Sequence, residues 1–201
     1  MRHNPAYASD DPGVVKRLIE ENPWAILVSH RDGLVASHCP VLLDPEAERP
    51  TLLTHLGRPD DEQHDLGGEM LAIVQGNHGY VSPSWYAPGA TPAPTWNFTV
   101  AHCYGVPELL DEEENLAVLT RLVERFEQQV EKPLLLDQEW GAQAAKGTVG
   151  IRLPITRFAC KRKLSQDKDP VSREQAIAAL REPGPYHHPA LADEMERELR
   201  G

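Results

Sequence analysis

Apolar residues fall at two spacings along this chain. Between residues 24 and 110 they come in short β-rich runs, and from 116 to 130 they recur at helical spacing. The runs are Trp24–Ser29, residues 34–43, Thr51–Leu56, Met70–Gln75 and about Trp96 to Leu110, with Gly105 and Pro107 bending the last. Asp32-Gly33 reads as a type I′ hairpin, and Pro40 marks an edge or a bulge. Two further runs, 147–155 and 157–164, read as strands. Asp11-Pro12 opens a first helix, with Val14, Leu18 and Ile19 as its stripe and Asn22-Pro23 as its end. Asp111 and Glu114 form a capping box for the clearest helix, whose stripe is Leu116, Leu119, Leu122, Val123, Phe126 and Val130. Lys132-Pro133 ends it, and the residues around Trp140 read as a loop. Ser172 with Gln175 starts a short helix, and a last helix follows Pro189. Most strands precede the long helix and are joined by hairpins. The pattern predicts a mainly β fold: an antiparallel sheet, closed or nearly closed, with peripheral helices packed outside it.

The stretch from His78 to Tyr104 interrupts this rhythm. It carries Tyr80, Trp85, Tyr86, Trp96, Phe98 and Tyr104, interleaved with Pro83, Pro88, Pro92 and Pro94. Proline fixes φ and removes a donor, so this is a strand, a stiff loop and a second strand starting near Thr95. Rings on a rigid loop suit a protein interface or a ligand cleft. They suit equally a loop folded back over its own core.

Composition narrows the function classes. The 201 residues, 40% of them apolar, fit one domain with at most a small appendage. A net charge of −11 repels phosphate backbones, so direct binding to nucleic acid is disfavoured. Cys39, Cys103 and Cys160 are odd in number and widely spaced, which implies no disulfide framework and a reducing cytoplasm. No apolar run approaches the roughly 18 residues of a membrane span, and the first residues lack the apolar core of a signal peptide.

Candidate chemistry gathers at strand ends. Arg58, just past the third run, is a guanidinium that with Ser37, Cys39 and Thr54 would line one cleft as a phosphate clamp. The alternative is a surface arginine with satisfied neighbours. Lys161-Arg162-Lys163-Leu164-Ser165-Gln166 is the basic cluster, suited to a phosphate or a polyol, or equally to a solvated strand end. No spacing of zinc-ligand type occurs, and adjacent His102 and Cys103 face opposite ways in a strand, so no metal site is read. Neither a dinucleotide-binding nor a P-loop glycine motif is present.

Four segments occur in order: HGYVSPSWY (78–86), PTWNFTVAHCYG (94–105), KGTVGIRL (146–153) and KRKLSQD (161–167). Together they resemble the PaiB-like negative transcriptional regulators, an FMN-binding split-barrel family. The resemblance implies a six-stranded antiparallel split β-barrel over 1–165, a C-terminal helical extension over 166–201 packed on the same domain, and a homodimer with FMN at its seam. Carried over to this chain, the cofactor residues are Ser37, His38, Cys39, Thr54, His55, Arg58, Lys163, Ser165 and Gln166. Trp85, Tyr86, Trp96 and Asn97 fall at the dimer contact. After Arg58, where the family continues with Asn-Pro and an aromatic-basic pair, this chain has Pro59-Asp60-Asp61-Glu62-Gln63-His64. Carboxylates there repel a phosphate. Asp167 likewise replaces an asparagine of the family's pattern.

The implied function is a flavin-binding regulator that acts as a homodimer, with an effect on transcription that is indirect. The alternative is an FMN-dependent oxidoreductase or flavin reductase on the same barrel, for which His38 and His55 are the acid–base candidates. A barrel that has exchanged FMN for haem, with histidine as ligand, ranks below both.

Overall fold

The computed structural model describes residues 1, 3–134 and 136–200. In chain order the elements are β1 (Ala8–Ser9), α1 (Pro12–Glu21), β2 (Trp24–His30), β3 (Leu34–Pro40), β4 (Leu42–Leu43), β5 (Thr51–Gly57), β6 (Met70–Val81), β7 (Thr95–Gly105), β8 (Glu108–Leu109), α2 (Glu112–Glu127), α3 (Gln138–Lys146), β9 (Thr148–Pro154), β10 (Arg157–Lys163), α4 (Pro170–Arg181) and α5 (Pro189–Arg200). Six strands form one sheet in the order β1-β10-β7-β6-β2-β3, and four form another in the order β4-β5-β9-β8. The chain divides into two compact units. One is Pro12–Val74 with His102–Phe158, and the other is Met1–Asp11, Gln75–Ala101 and Ala159–Gly201.

In the first unit β2 and β3 pair antiparallel from Trp24↔Pro40 to His30↔Leu34, so the hairpin stands where Asp32-Gly33 placed it, but the connection is three residues, 31–33, and Asp32 lacks the positive φ of the expected type I′ turn. Ala25 and Leu27 are fully buried and Ser29 nearly so, which sends Trp24, Ile26, Val28 and His30 to the opposite face. β5 pairs β9 along its whole length, Thr51↔Pro154 to Gly57↔Thr148. Helix α2 covers this ladder, with Val118 and Leu122 packed on Leu53. Its start is as read: Asp111 accepts from Glu114 N at 2.9 Å and Glu114 returns the bond at 3.1 Å. Its end is earlier. The helix stops at Glu127, and Phe126 and Val130 stay 44% and 47% exposed because no core reaches them. The supposed loop around Trp140 is helix α3. Asp137 caps it through Trp140 N at 2.8 Å, and Trp140 itself points to water, 62% exposed.

In the second unit the proline-rich loop closes over a core of its own. Val81, Tyr86 and Leu164 pack with Ala176, Ile177 and Leu180 of α4 and with Leu191, Ala192 and Met195 of α5. Ala87 N donates to Ser172 Oγ at 3.0 Å, which ties the loop to α4. That hydroxyl is buried and is not the cap of α4. Asp169 caps the helix, accepting from Ser172 N at 2.9 Å, and Pro170 takes the first turn.

Candidate functional site

β5 hands the chain to Arg58, whose N–H donates to Gly147 O at 3.0 Å beside the start of β9. A cleft of about 360 Å³ opens there, lined by Arg58, Asp111, Glu112, Asn115, Lys146 and Thr148 among others. Asn115 is its buried anchor. Only 4% exposed, it donates to Thr148 Oγ1 at 3.1 Å and to Ala145 O at 3.2 Å, while its Oδ1 has no partner. Gly150 admits it: a Cβ there would lie 2.7 Å from Asn115 Oδ1. The KGTVGIRL segment is explained by these contacts and by Arg152, which bridges Asp44 at 3.4 Å and the capping-box Glu114 at 3.2 Å.

Of the two positive side chains of the cleft, Arg58 is matched within the chain. Arg58 Nη1 lies 3.1 Å from Asp61 Oδ2; the Asp61 side chain is 11% exposed, and its Oδ1 is buried without a partner. Two of the amide groups that open α2, those of Asp111 and Glu114, are closed by its capping box.

Behind the acidic turn sits His64, 3% exposed. Its Nδ1 lies 2.8 Å from Ser29 Oγ and its Nε2 lies 3.0 Å from Ser37 Oγ. Ser29 Oγ also accepts from Asp65 N at 3.2 Å, so both ring nitrogens and the following amide are held by hydroxyls of β2 and β3. The ring thereby pins residues 60–65 to β2 and β3. Burial lowers the pKa of His64, with the Asp60 carboxylate opposing, and burial likewise lowers those of His55 and His102. A histidine with a lowered folded pKa binds more protons when unfolded, in the interval below its ordinary value of about 6.5. Its stabilising share is complete above about 6.5 and is lost as pH falls towards the folded values. The urea midpoint is therefore expected to drop between pH of about 7.5 and about 5.5. A midpoint flat over that interval would mean that these rings are open to solvent.

The remaining expected residues are dispersed. His38 and Ser37 are consecutive and lie on opposite faces of β3, and His38 stacks on Trp24 with ring centroids 6.5 Å apart. Cys39 and Thr54 are buried, 3% and 0% exposed, and Thr54 Oγ1 donates to Pro40 O at 2.6 Å. Burial raises the Cys39 thiol against a smaller opposing bond from Thr54, which leaves it a poor nucleophile. Of the four side chains expected to share one strand-end cleft, only Arg58 lines the cavity described here. His55 pairs with Gly150 and so faces the Asn115 side of the ladder, where its Nδ1 is buried without a partner.

In the second unit, Lys163 bonds Thr95 Oγ1 and donates to Trp96 O at 3.0 Å. Ser165 takes a left-handed backbone, φ 64°, and bonds Asn97 at 2.9 Å. Gln166 accepts from Leu164 N at 2.7 Å and donates to Arg162 O at 2.6 Å. The KLSQ motif thus closes a turn with its own polar groups. Among the aromatic-loop residues, Tyr86 and Asn97 are buried, Trp85 meets Tyr186 edge-on, and Trp96 stacks on His78 while remaining 55% exposed. Asn115 and His64 carried no signal in the sequence, since each acquires its meaning from strands more than 25 residues away.

Comparison with known proteins follows the same lines. A family model described as "Putative FMN-binding domain" matches residues 1–157. Protease synthase and sporulation protein PAI 2 of Bacillus subtilis is 26% identical over 188 residues, covering 90% of each chain. An uncharacterized protein of Emericella nidulans is 24% identical over 221 residues, 87% of this chain and 88% of that one. Among solved structures, an FAD and heme binding protein from Mycobacterium smegmatis aligns with a TM-score of 0.62 at 18% identity, covering 86% of this chain and 80% of that one. The flavocytochrome Anf3 from Azotobacter vinelandii aligns with a TM-score of 0.63 at 18% identity, covering 81% and 72%. At such identities the likeness is one of fold: antiparallel sheets with peripheral helices. Among the described residues no helix is long and apolar enough to cross a membrane.

Proposed function

The chain belongs to the PaiB-like FMN-binding family, and from that premise we propose that it is a flavin-binding homodimer of the six-stranded split-barrel kind. Its influence on transcription is exerted without its own grip on DNA. Family membership supports a flavin, FMN, as the cofactor. His55 and Arg58, on the cleft side of β5, are its nearest polar groups; the donor set there suits hydroxyls, which both give and accept hydrogen bonds.

One observation carries the dimer. In the first unit the face of β2 and β3 turned away from the core presents Trp24 at 57% and Leu34 at 81% exposure. Ile26, Val28 and Ala36 share that face, as do Leu71 and Ile73 at the start of β6. A largely apolar sheet face, broken by His30 and His38, is costly to leave in water, and a second copy is the partner that covers it symmetrically. Sedimentation is expected to give a dimer, and Leu34→Asp, which places a charge on that face, is expected to shift it towards monomer. A monomeric wild type would end the dimer reading. Trp96 is the aromatic-loop residue with surface left to contribute.

A yellow protein with flavin absorption is the expected result of purification. No gel shift with duplex DNA is expected at physiological salt, given the charge of −11. The FMN-dependent oxidoreductase alternative predicts that NADH or NADPH bleaches the bound flavin under anaerobic conditions faster than free FMN.

A further inference from the structure

The flavin reading raises the question of how the phosphate end of FMN is held, and here the residues disagree with the ligand. A phosphate monoester carries roughly two negative charges at neutral pH. A guanidinium at a strand end is the group such a phosphate would take, and Arg58 is the guanidinium of this cleft. It is already paired with Asp61. That carboxylate is nine-tenths covered by protein and has its second oxygen buried, so a ligand cannot swing it aside into water. Asp60 and Glu62 flank it on the turn Asp60–Gln63. Lys146 shares the cleft lining with Asp111 and Glu112. At the start of α2, another place for an anion, the capping box closes the amides of Asp111 and Glu114 and sets the Asp111, Glu112, Glu113 and Glu114 carboxylates around the rest. Arg58 is matched by Asp61, Lys146 is outnumbered by Asp111 and Glu112 in the same lining, and with Asp60 and Glu62 on the adjoining turn acidic side chains are in excess.

We propose that this chain holds its flavin by the ring system and the ribityl chain and not by the terminal phosphate, so that riboflavin binds at least as tightly as FMN. The proposal rests on the flavin reading above. Riboflavin ends in a hydroxyl, which takes a donor from Arg58 and gives one to Asp61 without adding charge to an acidic site. FMN brings a dianion to the same place, where Coulomb repulsion outweighs anything a neutralised arginine returns.

The test is a titration of the full-length chain, stripped of flavin, with riboflavin and with FMN, followed by quenching of flavin fluorescence. Riboflavin is expected to show a Kd equal to or below that of FMN. Salt screens repulsion, so raising sodium chloride from about 50 to about 500 mM is expected to tighten FMN a few-fold and to leave riboflavin within about twofold. Asp61→Asn, which removes the repelling charge and frees Arg58, is expected to shift the ratio of the two Kd values towards FMN by about 3- to 10-fold. Asp60→Asn, on the exposed side of the turn, gives the same effect in smaller measure and serves should Asp61→Asn fold poorly. FMN bound tenfold or more tightly than riboflavin, with the preference shrinking in salt, would overturn the proposal and leave the flavin reading intact. Binding of neither flavin would overturn that reading itself, and the proposal with it.

Discussion

Gly105→Ala is expected to destabilise the protein by about 3 kcal/mol or more, the largest effect of any single added methyl group here. A Cβ at Gly105 would stand 2.1 Å from the carbonyl oxygen of Pro154, with Leu153 Cδ1 at 3.2 Å. The obstacle is backbone and cannot rotate away. Nor can it slide. Pro154 is held opposite Thr51 in the β5–β9 ladder, and Thr156 donates to Tyr104 O through both its N–H at 2.9 Å and its hydroxyl at 3.1 Å. Thr156 thus clamps the two segments on one side of the contact, and the pairing of Glu108 with Arg152 holds them on the other. Gly57→Ala is the matched control: nothing lies within 4 Å of a Cβ there, so its effect is expected to stay within about 0.5 kcal/mol. Urea unfolding followed by tryptophan fluorescence reads both. A Gly105→Ala protein as stable as its Gly57→Ala control would mean that β7 and β9 do not approach as described.

Gly105 also shows where the sequence speaks and where it falls silent. Its presence at a bend is visible in one dimension, but the carbonyl that forbids any side chain is 49 positions away. What was legible had local causes. The Asp-Gly pair marked the place of the β2–β3 hairpin though not its turn type, the capping box placed the start of α2, and Asn22-Pro23 ended α1. Misreadings came where local pattern and tertiary contact disagree. Phe126 and Val130 keep helical spacing but find nothing to pack on. Helix α3 shows no strong stripe because its large residue, Trp140, faces water. Ser172 looks like a cap and is instead a buried donor and acceptor that fixes the proline-rich loop, whereas Asp169 caps the helix. Arg58 stood out as a charge at a strand end. The partner that neutralises it, Asp61, lies three residues on and was readable as a departure from the family's pattern. Asn115 and His64 were not readable, because a lone asparagine in a helix and a lone histidine in an acidic turn reveal nothing until the strands around them are placed.

Loss of the Glu194 carboxylate is expected to release α5. Glu194 is 8% exposed on that helix and accepts from Asn77 at 3.2 Å and from the Thr99 hydroxyl. Next to it, Asn97 bonds Ser165 at 2.9 Å and Met195 Sδ at 3.3 Å. Together with the ion pair of Arg162 and Glu198 at 2.7 Å, these bonds tie the helix to the strands of the second unit; Leu191, Ala192 and Met195, all fully buried, add the apolar ties. Glu194→Ala strands two buried donors and opens a void, at a cost of about 3 kcal/mol. Surface pairs such as Arg181 with Asp193 and Glu196 offset little of this, since water screens exposed ion pairs. Glu194→Gln keeps one acceptor for Thr99 but turns an NH2 group towards that of Asn77, so about half the loss is expected. A local readout separates this from general destabilisation. Amide exchange in α4 and α5 should accelerate well before that of β5 and β9, since the helices share a core with the proline-rich loop and the β5–β9 ladder has its own cover in α2. Uniform acceleration across both units would show that α5 carries no separate latch and that the two cores open as one.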